Sequence, residues 1–450
     1  MWWGFCDEGA IICDEFLSVC FQYCGGCVEY RCQYMVSILE HLGRIIGVYV
    51  GDGEWVAWSI FAYLCNRIII AMANSDSNLR VEMVELGRVY RRYEEELRGA
   101  VEGVAASGRY IRWENVRALE VEMAEYVGVG HAVGCGNGTD ALTLAFMALG
   151  LGRGDEVIVP TMTFVATAEA AMSLGIDVVF ADIDPRSYTL DARDVERKIT
   201  GRTRAIVPVH LYGRMADMEG IMAVAERRGL YVVEDGAQAF GASQVVGGVR
   251  RRACGVGTIG CTSFFPTKNL GCMGDGGAVF TDSEEIAERV RMLGSHGARR
   301  KYYSEVVGRN SRLDEVQAAV LRVKLRHLEE MLSRRRSVAL AYRKGLMGND
   351  FYVLPEFSDG HSFNQFTIRV NYGCRDDVRR YMESRGVASM VYYPELVHRQ
   401  KVFGQGGELG LVESERACGE VLSLPIHSEM TEGEVSRVVE VLNGWRIGAK

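Results

Sequence analysis

The sequence predicts an α/β fold built on a mostly parallel sheet, and three observations lead there. Beyond His131, short apolar runs alternate with longer stretches of helical periodicity, the pattern of strand–helix crossover units. Acidic, polar and glycine residues gather at the ends of several runs, where ligands collect in sheets of this kind. The chain has 450 residues, 48% hydrophobic and 24% charged, with 52 glycines against 7 prolines. That is a globular chain of more than one domain, and it excludes wholesale disorder or a collagen-like fibre. The net charge of -8 argues against a broad electrostatic grip on nucleic acid or an anionic membrane.

The elements follow in order. Leu86, Val89, Tyr93, Leu97 and Val101 recur at helical spacing within 79–105, predicting an amphipathic leading helix. Strands are expected at Glu156–Pro160, Val178–Ile183, Ala205–Leu211, Tyr231–Glu234, Thr262–Phe265 and Gly277–Thr281. Pro208 sits awkwardly in the third, because it cannot donate to a ladder. Helices are expected at Thr139–Leu149, Thr167–Leu174, Met218–Arg228, Glu284–Leu293 and Leu313–Leu340.

Residues 1–78 differ from the rest. They hold nine acidic residues against three arginines and no lysine, which is -6 of the chain's -8, with seven of its thirteen cysteines and four of its six tryptophans. So abrupt a change marks an appended segment or an early start codon, with Met72 and Met83 as later starts. Cys20, Cys24 and Cys27 have the spacing of an iron–sulfur ligand run, but the barrel such enzymes need does not follow. The paired spacing of a zinc site is also missing. The apolar run Trp55–Ala73 is interrupted by Asn66 and Arg67, which weakens its case as a membrane span. No basic region or clean cleavage site marks a secretory signal. The other six cysteines are scattered, as buried thiols of a reducing cytoplasm would be.

Chemistry concentrates at the strand ends. Asp182 and Asp184 close one run, His210 another, and Asp235 a third within Glu234-Asp235-Gly236-Ala237-Gln238. Lys268 lies in Ser263-Phe264-Phe265-Pro266-Thr267-Lys268-Asn269, and Gly136-Asn137-Gly138-Thr139-Asp140 opens a helix. Singly, each has a plainer reading. An aspartate there is usually a cap or turn residue, a glycine before a helix a turn, and a loop lysine a solvated charge. Together they supply a phosphate cradle, a carboxylate for a pyridinium nitrogen and a lysine for an imine, which is what pyridoxal 5′-phosphate requires.

At these residues the chain resembles the sugar-nucleotide aminotransferases of the DegT/DnrJ/StrS type, from about Leu79 to the C-terminus. The resemblance is carried by Asn137–Leu142, Pro160–Thr167, Pro208–Gly213, Glu234–Gln238, Ser263–Gly277 and Gly308–Glu315, in the family's order. It implies the aspartate-aminotransferase-like fold (fold type I), with a large domain on a mostly parallel seven-stranded sheet and a smaller C-terminal α/β domain. The expected organisation is an atypical Cys-rich extension over 1–78, dispensable for turnover, and a helical segment over 79–109. A large cofactor domain over 110–335 and a small domain over 336–450 complete it.

The resemblance also implies roles. Lys268 matches the lysine that forms the internal aldimine and then shuttles the proton. Asp235 matches the partner of the pyridine nitrogen, Gln238 the contact to the ring hydroxyl, and Phe164 the aromatic stacked on the ring face. Gly138, Thr139 and Ser263 match phosphate donors, and Asn310 an asparagine reaching the phosphate from the neighbouring subunit of a homodimer. Tyr393 and His398 resemble a substrate-proximal loop, although His398 reads equally well as a surface histidine. No metal is implied. The implied reaction is ping-pong transfer of an amino group from L-glutamate to a nucleotide-linked keto sugar, closest to the enzymes aminating 3-keto-6-deoxy sugars, in the cytoplasm. Phe265 stands where that subgroup carries tyrosine, and the missing phenol removes any hydrogen bond it would make. Three rivals stand beside this reading. A dehydratase branch replaces the lysine by histidine, and Lys268 argues against it. A regulator binding cofactor or sugar without turnover has no need of an imine lysine. A module led by the cysteine-rich extension is the third.

Overall fold

The computed structural model describes residues 80–404 and 409–448. The readings of the cysteine-rich extension, its cysteine spacing and its apolar run lie outside the described residues. Seven strands form the main sheet: β1 (His131–Cys135), β2 (Glu156–Pro160), β3 (Asp177–Ala181), β4 (Thr203–Ile206), β5 (Tyr231–Asp235), β8 (Ile259–Ser263) and β9 (Gly277–Thr281). Between β5 and β8 the chain makes a separate hairpin, β6 (Ser243–Val246) and β7 (Val249–Arg252). The sheet order is β1-β9-β8-β5-β4-β2-β3. Strand pairs from β3 to β8 are parallel, and β9 alone runs against its neighbours.

Why the sheet is buried on both faces is legible in β2. Val157 and Val159 pack into one core with the helices Gly138–Ala148, Ala166–Met172 and Glu284–Leu293, while Ile158 packs into another with Met218–Arg228. A strand covered on both sides reads as a continuous apolar run, and Glu156–Pro160 is buried throughout. The parallel strands bring their carboxyl ends to one edge, where the loops after β2, β5 and β8 meet.

After the long helix Leu328–Leu346 a smaller antiparallel sheet follows, ordered β12 (Tyr352–Val353), β13 (Phe366–Val370) and β14 (Val421–Leu424). A two-stranded hairpin, β10 (Ala298–Arg300) with β11 (Tyr303–Ser304), projects before it. Helix Arg375–Ser384 packs on the small sheet, and Glu432–Gly444, opened by a capping box between Thr431 and Glu434, packs on that helix and on Leu328–Leu346.

The structure revises several expected elements. The leading segment begins extended, with Val81 pairing to Val387, and becomes helical only at Leu86. It breaks again at Tyr93 (φ -117°, ψ 24°), whose ring is buried against His327 at 4.3 Å. The expected helix Leu313–Leu340 is two, Glu315–Arg326 and Leu328–Leu346, parted at that same His327 (φ -102°, ψ 3°). One aromatic contact thus accounts for both kinks. The expected boundary at residue 335 falls inside the second of these helices. The third strand stops at Ile206, before Pro208, whose carbonyl accepts from the Asp235 amide instead. The strand expected at 262–265 ends at Ser263, because Phe264 N–H turns to Gly276.

Candidate active site

Asp235 closes β5 and is almost wholly buried. Its carboxylate is held from both sides: Ala237 N–H donates to Oδ1 at 3.1 Å, and Thr167 Oγ1 donates to Oδ2 at 2.7 Å. Thr163 Oγ1 lies 3.0 Å from Thr167 Oγ1. Because Thr167 spends its proton on Asp235, Thr163 is the donor in that pair. The result is a chain of hydroxyls from Thr163 to Thr167 to the carboxylate, all buried. Buried polar groups need such partners, and this chain fixes the direction in which Asp235 presents its remaining lone pairs.

Lys268 lies in the loop that leaves β8, the strand paired with β5. Its enclosure pulls the amine below the ordinary lysine value, opposed by the nearby negative charge of Asp235. Burial disfavours the ammonium, so this lysine is biased toward a free amine with a carboxylate close at hand.

Gln238 is held at both ends. Its Oε1 accepts Tyr212 N–H at 2.9 Å and its Nε2 donates to Tyr393 Oη at 2.8 Å. One Nε2 hydrogen remains available. Tyr212 itself adopts a left-handed backbone (φ 61°) and donates its hydroxyl to the Tyr392 carbonyl. Tyr393 is enclosed, and burial next to Asp235 pushes its hydroxyl above the usual tyrosine range. Phe164 stands 6.0 Å from the Tyr393 ring, and 56% of its surface is exposed. A large aromatic left open above a polar cleft is a ready stacking face.

The helix Gly138–Ala148 starts at the same edge. Its cap Asn137 accepts from Asp140 N–H at 2.8 Å, while the amides of Gly138 and Thr139 have no acceptor among the described residues. A Cβ on Gly138 would lie 2.8 Å from Ser263 Cβ, so only glycine lets the helix start close on β8. Free amides, the positive end of a helix and the Ser263 hydroxyl make an anion cradle.

Two predicted residues remain, His398 and Asn310. His398 is 1% exposed, with Nδ1 2.6 Å from Thr161 Oγ1 and its ring 6.0 Å from Phe180. Burial lowers its basicity. It is a core histidine, which removes the surface reading, and no hydrogen bond joins it to the other candidates. Asn310 is exposed beside the β10–β11 hairpin, next to Ser311, whose hydroxyl accepts the Gly136 amide at 3.0 Å just before the cradle.

The remaining strand-end residues do structural work. Asp182 accepts the amides of Glu413 and Ser414, and Asp184 closes a turn on Arg186 and Ser187. Ala216 N–H donates to His210 Nδ1, so Nε2 carries the proton and donates to Glu234 Oε2 at 2.8 Å. Glu234 also accepts the amides of Cys254, Val256 and Gly257, pinning the turn that feeds β8 behind Asp235.

Sequence reasoning missed Thr163, Thr167 and Glu234 as functional supports. The four-residue spacing of the two threonines, at the mouth of a helix, was the available signal.

Asp235 ends β5 and Lys268 lies in the loop after the neighbouring parallel strand β8, an arrangement compatible with an aminotransferase. The chain belongs to the DegT/DnrJ/EryC1/StrS aminotransferase family, whose profile matches residues 91–443. It is 44% identical over 367 residues, 81% of this chain and 98% of the relative, to UDP-N-acetyl-3-dehydro-α-D-glucosamine 3-aminotransferase of Acidithiobacillus ferrooxidans. It is likewise 44% identical over 369 residues, 80% of this chain and 97% of the relative, to a Geobacillus stearothermophilus protein named pleiotropic regulatory protein. Among solved structures it matches Streptomyces venezuelae DesV in complex with a ketimine intermediate, at 41% identity, TM-score 0.78, 81% of this chain and 98% of that one.

Proposed function

We propose that this enzyme uses pyridoxal 5′-phosphate to move an amino group from L-glutamate to C3 of a nucleotide-linked 3-keto sugar, of the 6-deoxyhexose type. The observation that carries the reading is Lys268, biased to a free amine by burial, beside Asp235 at the carboxyl edge of the sheet. The cluster fits the cofactor. The unclaimed amides of Gly138 and Thr139 with Ser263 suit its phosphate, Phe164 its ring face, and the oriented Asp235 carboxylate its pyridine N–H. Bound there, the cofactor supplies an electron sink for charge developing on the substrate carbon and carries the amino group between half-reactions.

The chain's own residues do the rest. Lys268 tethers the cofactor and, once released, its Nζ takes the proton from the amino-bearing carbon and returns it. Asp235, aimed by Thr167, keeps a proton on the ring nitrogen. Gln238, fixed by Tyr212 and Tyr393, offers its spare N–H to the ring hydroxyl. Tyr393 walls the cleft toward the substrate. His398 supports this loop from within the core.

We further propose a homodimer in which Asn310 of each protomer reaches the phosphate site of the other. Tyr302 and Val307, near Asn310, are 88% and 89% exposed in one chain, which is apolar surface suited to a partner. A cytoplasmic location accords with six free, described cysteines. Among the described residues no helix is long and apolar enough to cross a membrane, and no metal-binding cluster is found.

The name of the Geobacillus relative supports a second reading, a regulator. One experiment separates them. Cofactor-loaded protein given L-glutamate should lose its visible absorbance with stoichiometric 2-oxoglutarate. A nucleotide-linked 3-keto sugar should then restore it faster than the 4-keto isomer. A spectrum unchanged by glutamate would favour the regulator.

A further inference from the structure

Against the loop that carries Lys268, with Lys268 itself among its lining residues, lies a second small space. It is a cavity of about 30 Å³ walled by the loop Pro266–Gly271, the start of the helix Leu86–Arg92, and Lys324, Arg335 and His427. That is room for a water or two or one monatomic ion.

Its wall mixes the apolar side chains of Val84, Leu86, Val89 and Met331 with a group of hydrogen-bond donors. Lys324 is 8% exposed and spends one hydrogen on Gly271 O at 2.6 Å. Arg335 is 7% exposed, and its Nη1 alone meets the carbonyls of Phe363, Asn364 and Ile426. Among the described residues neither cation forms an ion pair, and the remaining N–H groups of both have no acceptor. His427, 3% exposed, accepts Glu429 N–H on Nδ1, so Nε2 carries a proton, and that Nε2 is buried with no partner. The backbone amides of Thr267, Asn269 and Gly271, residues on the same wall, also lack acceptors. Against these stand one orphan acceptor, Asn269 Oδ1, and one carboxylate, Glu85, which is 31% exposed and 3.9 Å from Arg88.

Two cations withdrawn from water without a counter-charge are costly. Burial lowers the basicity of both, Arg335 to about 10. A water could satisfy Asn269 but would leave the charge uncompensated. An anion compensates it and accepts from the orphan donors at once.

We propose that this cavity binds one small monovalent anion of the halide class, which fastens the Lys268 loop to the helices carrying Lys324 and Arg335. The inference stands independently of the proposed substrate, since its readouts need no turnover. The test uses the full-length, cofactor-loaded protein, melted in sodium chloride and in sodium gluconate at equal ionic strength. Chloride should raise the midpoint saturably by about 2–4 °C, and crystals soaked in sodium bromide should give one anomalous peak between Lys324, Arg335 and His427. Lys324→Met should abolish the chloride-specific rise. Should that variant not fold, His427→Phe, which removes the Nε2 donor, should weaken the rise at least severalfold. Equal melting in both salts with no bromide peak means a water site and overturns the proposal. A bromide peak without a saturable shift means an adventitious ion only and overturns it too, as does a chloride effect unchanged in both variants.

Discussion

Replacing Thr167 by valine removes one oxygen and keeps the shape of the side chain. The hydroxyl it deletes is fully buried and donates to Asp235 Oδ2 at 2.7 Å, while accepting from Thr163 at 3.0 Å. A hydrogen bond to a charged group contributes about 1.5–3 kcal/mol. Asp235 keeps its second anchor, the Ala237 amide, so the lower half of that range applies, about 1.5–2 kcal/mol. At about 1.4 kcal/mol per decade this slows the glutamate half-reaction roughly 10–30-fold. The assay is single-turnover absorbance, with cofactor affinity measured in parallel. Thr167→Ser, which restores the hydroxyl, should recover to within about threefold of the parent, and Asp235→Asn should be worse than valine. If Thr167→Val stays within about twofold of the parent on both measures, or serine is as poor as valine, the hydroxyl chain does not orient Asp235.

Three more outcomes are expected. Gly138→Ala places a Cβ 2.8 Å from Ser263 Cβ and should weaken cofactor binding at least about tenfold with little change in melting; unchanged affinity would remove the cradle. Glu234→Ala strands three backbone amides and His210 Nε2 and should cost about 3–5 kcal/mol in denaturant unfolding; a loss below about 1 kcal/mol would show the turn is held otherwise. In cofactor-free protein the Lys268 amine should acylate with a midpoint below the usual value of about 10.4. Because the Asp235 charge favours the ammonium, Asp235→Asn should move that midpoint lower still, and an upward move would contradict the assignment.

Much of the fold was legible because the main sheet is buried on both faces. Strands such as Glu156–Pro160 and Gly277–Thr281 therefore stand out as apolar runs between helices. Propensity failed where tertiary contacts override it. Nothing local in Leu79–Ala105 or Leu313–Leu340 announces that Tyr93 and His327 will stack and break both helices. The lysine, the carboxylate and the helix start were readable as residue types at strand ends. Their partners were not, because Thr167 reaches Asp235 across 68 positions of sequence. His398 shows the opposite case. Its loop reads as polar and open to solvent, yet the ring packs against Phe180 and Thr161 in the core, which excludes the surface histidine that the pattern equally allowed.

The proposed transamination depends on a covalent bond at one side chain. Borohydride reduction of cofactor-loaded protein, followed by peptide mapping, should find a pyridoxyl group on Lys268 and on no other lysine. Label on a different lysine, or none on a protein that has taken up pyridoxal phosphate, would contradict it.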